Sequence, residues 1–334
     1  MRVLVLGGTQ FLGPFVVNEL LRRGHEVAAV SRRACALFDA EIRAFVGEAS
    51  SPAVLAEAVS AWQPEGLVDL LHRNAAHAQA VAQVCGGVQH SLHVSCISVY
   101  GPTPICPVEE STDPVRPEFA GPEVLDQIAA DQVVLELAAQ RKLPGTVVRL
   151  AQLYGPRDPR CAEWFFARRV RDGRAQVALP DMGLAIRHRG FVQNMAWGIA
   201  QALGLPRAVG EVYNLGDEKV YTLLQLARGV ARALGHKWEI YSVPGHLWPT
   251  PYGGTCFLDL RKARAQLRYK DRMFPRDGLE LTLAGLHQQP FAGEWSWPGL
   301  DAPFDYARED QIIAQHGLRL EPERLDEAQR HKEI

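Results

Sequence analysis

The chain has 334 residues, a length for one large domain or two closely joined ones. Hydrophobic residues make up 47% and charged residues 22%, which excludes a disordered or fibrous chain. Lys and Arg number 36 against 38 Asp and Glu, a formal net charge of −2, so the surface as a whole is not a nucleic-acid binder. Strand and helix signals then alternate. Arg2–Leu6 is a short aliphatic strand, followed by helical spacing over Leu12–Arg23 and Gly24 where a helix-ending glycine belongs. Glu26–Val30 and Ile42–Val46 read as strands. Pro52–Trp62 reads as a helix entered through Ser51 and Pro52. Gly66–Leu71 is a strand, Asn74–Cys85 a helix and Leu92–Ile97 a strand. Val124–Arg141 is a long helix and Thr146–Leu150 a further strand. This order predicts a parallel sheet.

Between Gly101 and Pro122 lies a proline-rich stretch, long for a loop inside a compact domain and of the kind that carries function. The second half is less regular, with helices expected near 161–172, 194–203, 222–235, 260–267, 276–288 and 307–316. The charged tail after Leu320 reads as a solvated segment. No apolar run reaches the ~18 residues of a membrane span, and the run Val3–Leu6 is too short for a signal-peptide core. Six Cys (35, 85, 96, 106, 161 and 256) form no CxxC pair or zinc-type spacing. The expected compartment is the reducing cytoplasm.

The strand ending at Leu6 runs into Gly7-Gly8-Thr9-Gln10-Phe11-Leu12-Gly13 and then a helix. In that context a glycine motif is informative, because the free N–H groups and positive end of the helix face a pyrophosphate. Gly7 permits the tight turn and Gly13 close helix packing. Gln10 stands where GxxGxxG has its middle glycine.

These residues resemble the GGTxFxG variant of atypical extended short-chain dehydrogenases/reductases, the NAD-dependent epimerase/dehydratase group, a type related to chloroplast stem-loop RNA-binding proteins. Ser95-Cys96-Ile97-Ser98-Val99-Tyr100-Gly101 resembles the group's SSxSVYG. Val148-Arg149-Leu150 through Tyr154-Gly155-Pro156, Val212–Gly216 and Phe304–Asp310 resemble its LRxxxxYGP, VYNxG and FDYxxED segments. The resemblance implies a Rossmann-like, doubly wound α/β fold with a smaller C-terminal substrate domain and a cleft at the strand ends. Residues 1–155, with returning segments near 190–216, would bind dinucleotide, and 156–334 would mainly bind substrate. Cofactor contacts are implied at Gly7, Gly8, Thr9, Gln10, Phe11, Gly13, Leu70, Leu71, Ser95, Gln127 and Leu150, and at Glu48 for the adenine.

The second strand ends Val30-Ser31-Arg32-Arg33. No carboxylate is there to bond a ribose 2′-hydroxyl, while two guanidiniums suit a 2′-phosphate. Ser31, Arg32 and Arg33 therefore point to NADP(H), with NAD as the alternative.

The group's Tyr and the Lys four residues after it fall on Glu123 and Gln127, and its Ser/Thr on Cys96. No YxxxK occurs anywhere in the chain. The catalytic candidates are Glu123, Cys96, Ser98 and Tyr100, with His72 and His77 near the fourth strand's end. From Arg157 to Arg189, eight Arg face four carboxylates. The resemblance places anionic substrates there, against Arg187 and Arg189, with His77 a further substrate contact. The expected function is a reductase, epimerase or dehydratase step on a small polar or anionic substrate, such as a sugar nucleotide or specialised metabolite. An inactive NADP(H)-binding sensor or scaffold is one alternative. An RNA-binding protein is another, against which the acidic remainder and the lack of Lys in the basic stretch argue. A homodimer through the helices near 74–85 and 122–141 is expected, with no membrane partner and no metal.

Overall fold

The computed structural model describes residues 1–32, 38–101, 103, 105–288 and 295–320. In chain order the elements are β1 (Arg2–Leu6), α1 (Leu12–Arg22), β2 (Glu26–Ser31), β3 (Arg43–Val46), α2 (Pro52–Trp62), β4 (Gly66–Asp69), α3 (Ala75–Cys85), β5 (His90–Cys96), α4 (Pro122–Ala139) and β6 (Gly145–Leu150). They continue as β7 (Gln152–Tyr154), α5 (Trp164–Arg171), β8 (Gln176–Pro180), β9 (Arg189–Phe191), α6 (Val192–Ala202), β10 (Val212–Leu215), α7 (Leu223–Ala233), β11 (Glu239–Val243), α8 (Arg261–Leu267), α9 (Pro275–Gln288), α10 (Tyr306–His316) and β12 (Leu318–Arg319).

Two compact units result. The first is Met1–Gln152, Val192–Glu218 and Leu258–Arg272. It holds a seven-stranded sheet in the order β10-β6-β5-β4-β1-β2-β3, with every pairing parallel. Because both faces are covered, the strands are continuous aliphatic runs: Val3–Leu6 and Val27–Val30 are buried throughout. Leu4, Leu6, Ala28, Val30, Leu67 and Val81 form one core on the sheet, and Ala78, Ala130, Val134 and Val147 another under α3 and α4. The strand order reverses between β1 and β4, the switch point where open α/β sheets bind ligands. This is the parallel sheet that the alternating pattern predicts and the Rossmann-like fold that the resemblance implies.

The second unit is Leu153–Phe191, Lys219–Phe257 and Met273–Ile334. Its three-stranded sheet, β12-β11-β8, packs on a core of Phe165, Phe166, Val177, Leu179, Leu226 and Val230. The helices expected in the second half are present near their predicted bounds, but β8, β9 and β11 were not expected there. Each is only 3 to 5 residues long, too short for a period-2 signal to develop.

Two boundaries in the first unit differ from the sequence reading for identifiable reasons. β4 stops at Asp69, not Leu71, because Asp69 Oδ1 accepts the N–H groups of Leu71 (3.0 Å) and His72 (3.1 Å) and turns the chain. β5 starts at His90, whose imidazole sits 2.8 Å from Thr146 Oγ1 and accepts from the Gly204 N–H (2.9 Å). A buried, partnered His extends the strand where its polarity hides it. Arg33, Pro102, Pro104 and the tail after Leu320 lie outside the described residues.

Candidate active site

The β1–α1 turn is built around two glycines. Gly7 has φ +80° and donates to Val30 O at 3.0 Å. That backbone conformation suits glycine, and a Cβ there would press on the Leu71 side chain at 2.8 Å. A Cβ on Gly13 would stand 2.4 Å from Gly8 C and 2.6 Å from Gly7 O. The first turn of α1 therefore closes on the turn only because residue 13 has no side chain. Pro14 is tolerated there because a first-turn N–H has no partner to lose. No acidic side chain occupies that first turn, so the positive helix end is left for an anion. Gln10 is exposed, and Thr9 and Phe11 are half-buried. Gly8 lies in the core against Ala29 and Val17.

On the neighbouring strand, Ser31 is buried at the end of β2 and Arg32 is 58% exposed. Its Nε lies 3.6 Å from Glu48 Oε1, itself 48% exposed. An open pair of this kind is worth little and leaves the guanidinium available to a better anion. Arg33 lies outside the described residues.

Behind the ends of β4 and β5 lies a buried polar network that sequence reasoning missed. The parallel register sets Asp69 beside His93 and Ser95 beside Arg149. Asp69 Oδ2 is 2.9 Å from His77 Nε2 and 3.6 Å from His93 Nδ1. Burial would raise the Asp69 carboxyl, but the His77 and His93 interactions outweigh it and hold it well below the usual range. Asp131 on α4 gathers His72 Nε2 (3.1 Å), Ser95 Oγ (3.1 Å) and Arg149 Nε (3.0 Å). The readable signal was Asp131 on the apolar stripe of α4, between Ile128 and Val134, both buried.

The catalytic candidates divide by exposure. Glu123 is exposed in the first turn of α4, and Cys96 and Ser98 are half-buried at the end of β5. Tyr100 is buried; its hydroxyl donates to Asn214 Oδ1 at 2.8 Å, and the Arg149 guanidinium lies 4.9 Å from its ring. Burial pushes that hydroxyl's pKa up, and its proton is committed to Asn214. Gln127 donates to His72 O at 2.9 Å. Leu70 and Leu71 are half-buried after β4, while Leu150 and Ser95 are buried.

Of the substrate candidates, Arg187 is half-buried. His77 is buried against Asp69 and not offered to solvent. Arg189 is half-buried in an ion pair with the buried Glu163, its guanidinium 4.0 Å from the Tyr154 ring. Elsewhere in the basic stretch Arg169 is buried with Glu309, Arg168 pairs with Asp172, and Arg174 with Asp310.

A parallel sheet with a glycine turn at its switch point defines a dinucleotide-binding protein. The model of the NAD dependent epimerase/dehydratase family matches residues 3–216, and the chain belongs to that enzyme family. It is similar to 2'-dehydrokanamycin reductase of Streptomyces kanamyceticus, 28% identical over 249 residues (73% of this chain, 70% of the relative). It is also similar to the chloroplast stem-loop binding protein of 41 kDa b of Arabidopsis thaliana, 24% identical over 248 residues (70% of this chain). The match spans 63% of the Arabidopsis protein's length. Among solved structures, the UDP-glucose 4-epimerase of Thermus thermophilus in complex with NAD superposes with a TM-score of 0.72. It is 23% identical, covering 86% of this chain and all of the other. No helix among the described residues is long and apolar enough to cross a membrane.

Proposed function

We propose that the chain is an NADP(H)-dependent oxidoreductase of this family, acting on a carbonyl or alcohol carbon of a small polar or anionic substrate. The observation that carries the reading is the β1–α1 turn, where Gly13 admits no side chain and the helix end carries no competing carboxylate. The residues present fit a dinucleotide: the turn would hold the pyrophosphate, and Arg32 would leave Glu48 for a 2′-phosphate. When bound, the nicotinamide supplies or accepts a hydride.

The proton belongs to this chain's own residues. Glu123 occupies the family's Tyr position and is exposed in a first helical turn. We read it as the group exchanging a proton with the substrate oxygen, with Ser98 and Cys96 as flanking donors. Tyr100 serves to hold Asn214 instead. Gln127 cannot supply the positive charge of the family's Lys. It anchors α4 to the His72 carbonyl. Arg187 remains the substrate-anion candidate, whereas Arg189 and His77 are read as structural. The similarity to 2'-dehydrokanamycin reductase supports a reductive step on a sugar-derived ketone, and a sugar nucleotide is the other substrate class.

The same reading places dinucleotide binding in residues 1–155 with returning segments near 190–216, and substrate binding in 156–334. It places the chain in the cytoplasm as a homodimer through α3 and α4. The exposed Leu125 of α4 supports the homodimer. The carboxylate partners of Arg168, Arg169, Arg174 and Arg189 weigh against RNA at the basic stretch.

Titration with NADPH and NADH, followed by nicotinamide fluorescence, tests the cofactor. Micromolar NADPH binding with weaker NADH binding is expected, and Arg32→Ser should erase the preference. No binding of either nucleotide ends the oxidoreductase reading. With a turnover substrate in hand, Glu123→Gln should lower kcat at least about 10²-fold, and undiminished kcat removes Glu123 from the role.

A further inference from the structure

We infer that Asp69, His72 and His93 form a buried binding site for a divalent transition-metal ion of the zinc class. One ligand atom from each lies within 4.8 Å of the others. All three side chains are fully buried. The Nδ1 atoms of His72 and His93 are buried and lack a hydrogen-bond partner among the described residues. Both nitrogens thus sit in the buried polar network without a hydrogen bond, that of His93 3.6 Å from Asp69 Oδ2, and buried nitrogens in that state are costly unless something takes them up.

The outer contacts are those of a metal site. A metal-bound His characteristically has its other ring nitrogen held by a carboxylate or another oxygen. His72 Nε2 lies 3.1 Å from Asp131, whose second oxygen takes Arg149 and Ser95. His93 Nε2 lies 3.1 Å from Ser91 Oγ. Asp69, the oxygen ligand, is steadied by His77 and by two backbone N–H groups. Both candidate His ligands therefore keep the same ring atom, Nδ1, without a hydrogen bond. Ligands 2.0–2.1 Å from a tetrahedral ion stand about 3.4 Å apart, and Asp69 Oδ2 lies 3.6 Å from His93 Nδ1. The donor set of two imidazoles and one carboxylate suits zinc or its neighbours in preference to calcium or magnesium. Full burial makes the ion structural, enclosed as β4, β5 and α4 come together.

The test is metal content, which is independent of the cofactor reading. The full chain is expressed with added zinc, passed through metal-free buffer, and analysed by inductively coupled plasma mass spectrometry. About one zinc per chain is expected. His93→Ala and Asp69→Asn should fall at least ten-fold in content, and Ser91→Ala should weaken zinc affinity about ten-fold. Less than about 0.1 zinc per wild-type chain overturns the inference, as does equal content in folded His93→Ala. Should the ligand variants fail to fold, the wild-type chain produced with cobalt(II) decides. Intense visible bands of a four-coordinate ion support the site. The weak spectrum of a six-coordinate aqua ion overturns the inference.

Discussion

A methyl group on residue 13 would stand 2.4 Å from the carbonyl carbon of Gly8 and 2.6 Å from Gly7 O. Those atoms are backbone and cannot rotate away, so the turn and the first residues of α1 must separate. Gly13→Ala should destabilise the chain by about 1–3 kcal/mol and weaken NADPH at least ten-fold, measured by urea unfolding and by fluorescence titration. Retained affinity would mean that the turn does not hold the pyrophosphate. The contrast with Gln10 is instructive. It departs from the glycine motif, and its side chain is exposed. Residue identity alone showed the departure, while its consequence depended on side-chain direction, which spacing does not encode.

At the scale of elements, α4 is fixed to the sheet by a charge pair as well as by its apolar stripe. Asp131 holds Arg149 of β6, Ser95 of β5 and His72 at once. Removing one member of a buried pair leaves the other charge without compensation, a loss of about 3–5 kcal/mol. Asp131→Ala should therefore destabilise by about that amount in chemical denaturation, far more than Glu123→Gln eight residues earlier on an exposed turn. Equal effects would show that Arg149 finds another partner. The strands β1 to β6 and helices α1 to α4 were legible because each carries one period and a clear end signal. The polar network between them was not. It is assembled by register, which sets Asp69 beside His93 and Ser95 beside Arg149 from strands far apart in sequence. Lone His and Ser residues inside aliphatic strands carry no local sign of that pairing.

For the molecule as a whole, the family and the dinucleotide fold were readable from motifs that recur at fixed places, while the missing Tyr and Lys left the chemistry open. The response of stability to pH is a further global property that the sequence did not announce. Asp271 lies against Asp217, Glu218 and Tyr269 in the first unit, accepting from the Glu218 N–H at 2.7 Å and sitting 3.1 Å from the Tyr269 hydroxyl. Burial, then the Asp217 charge, raises its carboxyl to about 7. The folded state thus holds a proton that the unfolded chain releases near pH 4. Folding then binds more protons than the unfolded state between those values, so this group's contribution is fully present at about pH 4 and lost as pH rises through 7. A shift of one unit corresponds to about 1.4 kcal/mol, and partial exposure of the site reduces the full difference to about 2 kcal/mol. Asp271→Asn keeps an acceptor for the Glu218 N–H and removes the titration. The variant should therefore melt higher than wild type at pH 8, match it near pH 4, and lose the downward slope in Tm between them. Parallel Tm curves for the two proteins across pH 5–8 would show that Asp271 is ionised throughout and that its neighbours, not its own proton, absorb the repulsion.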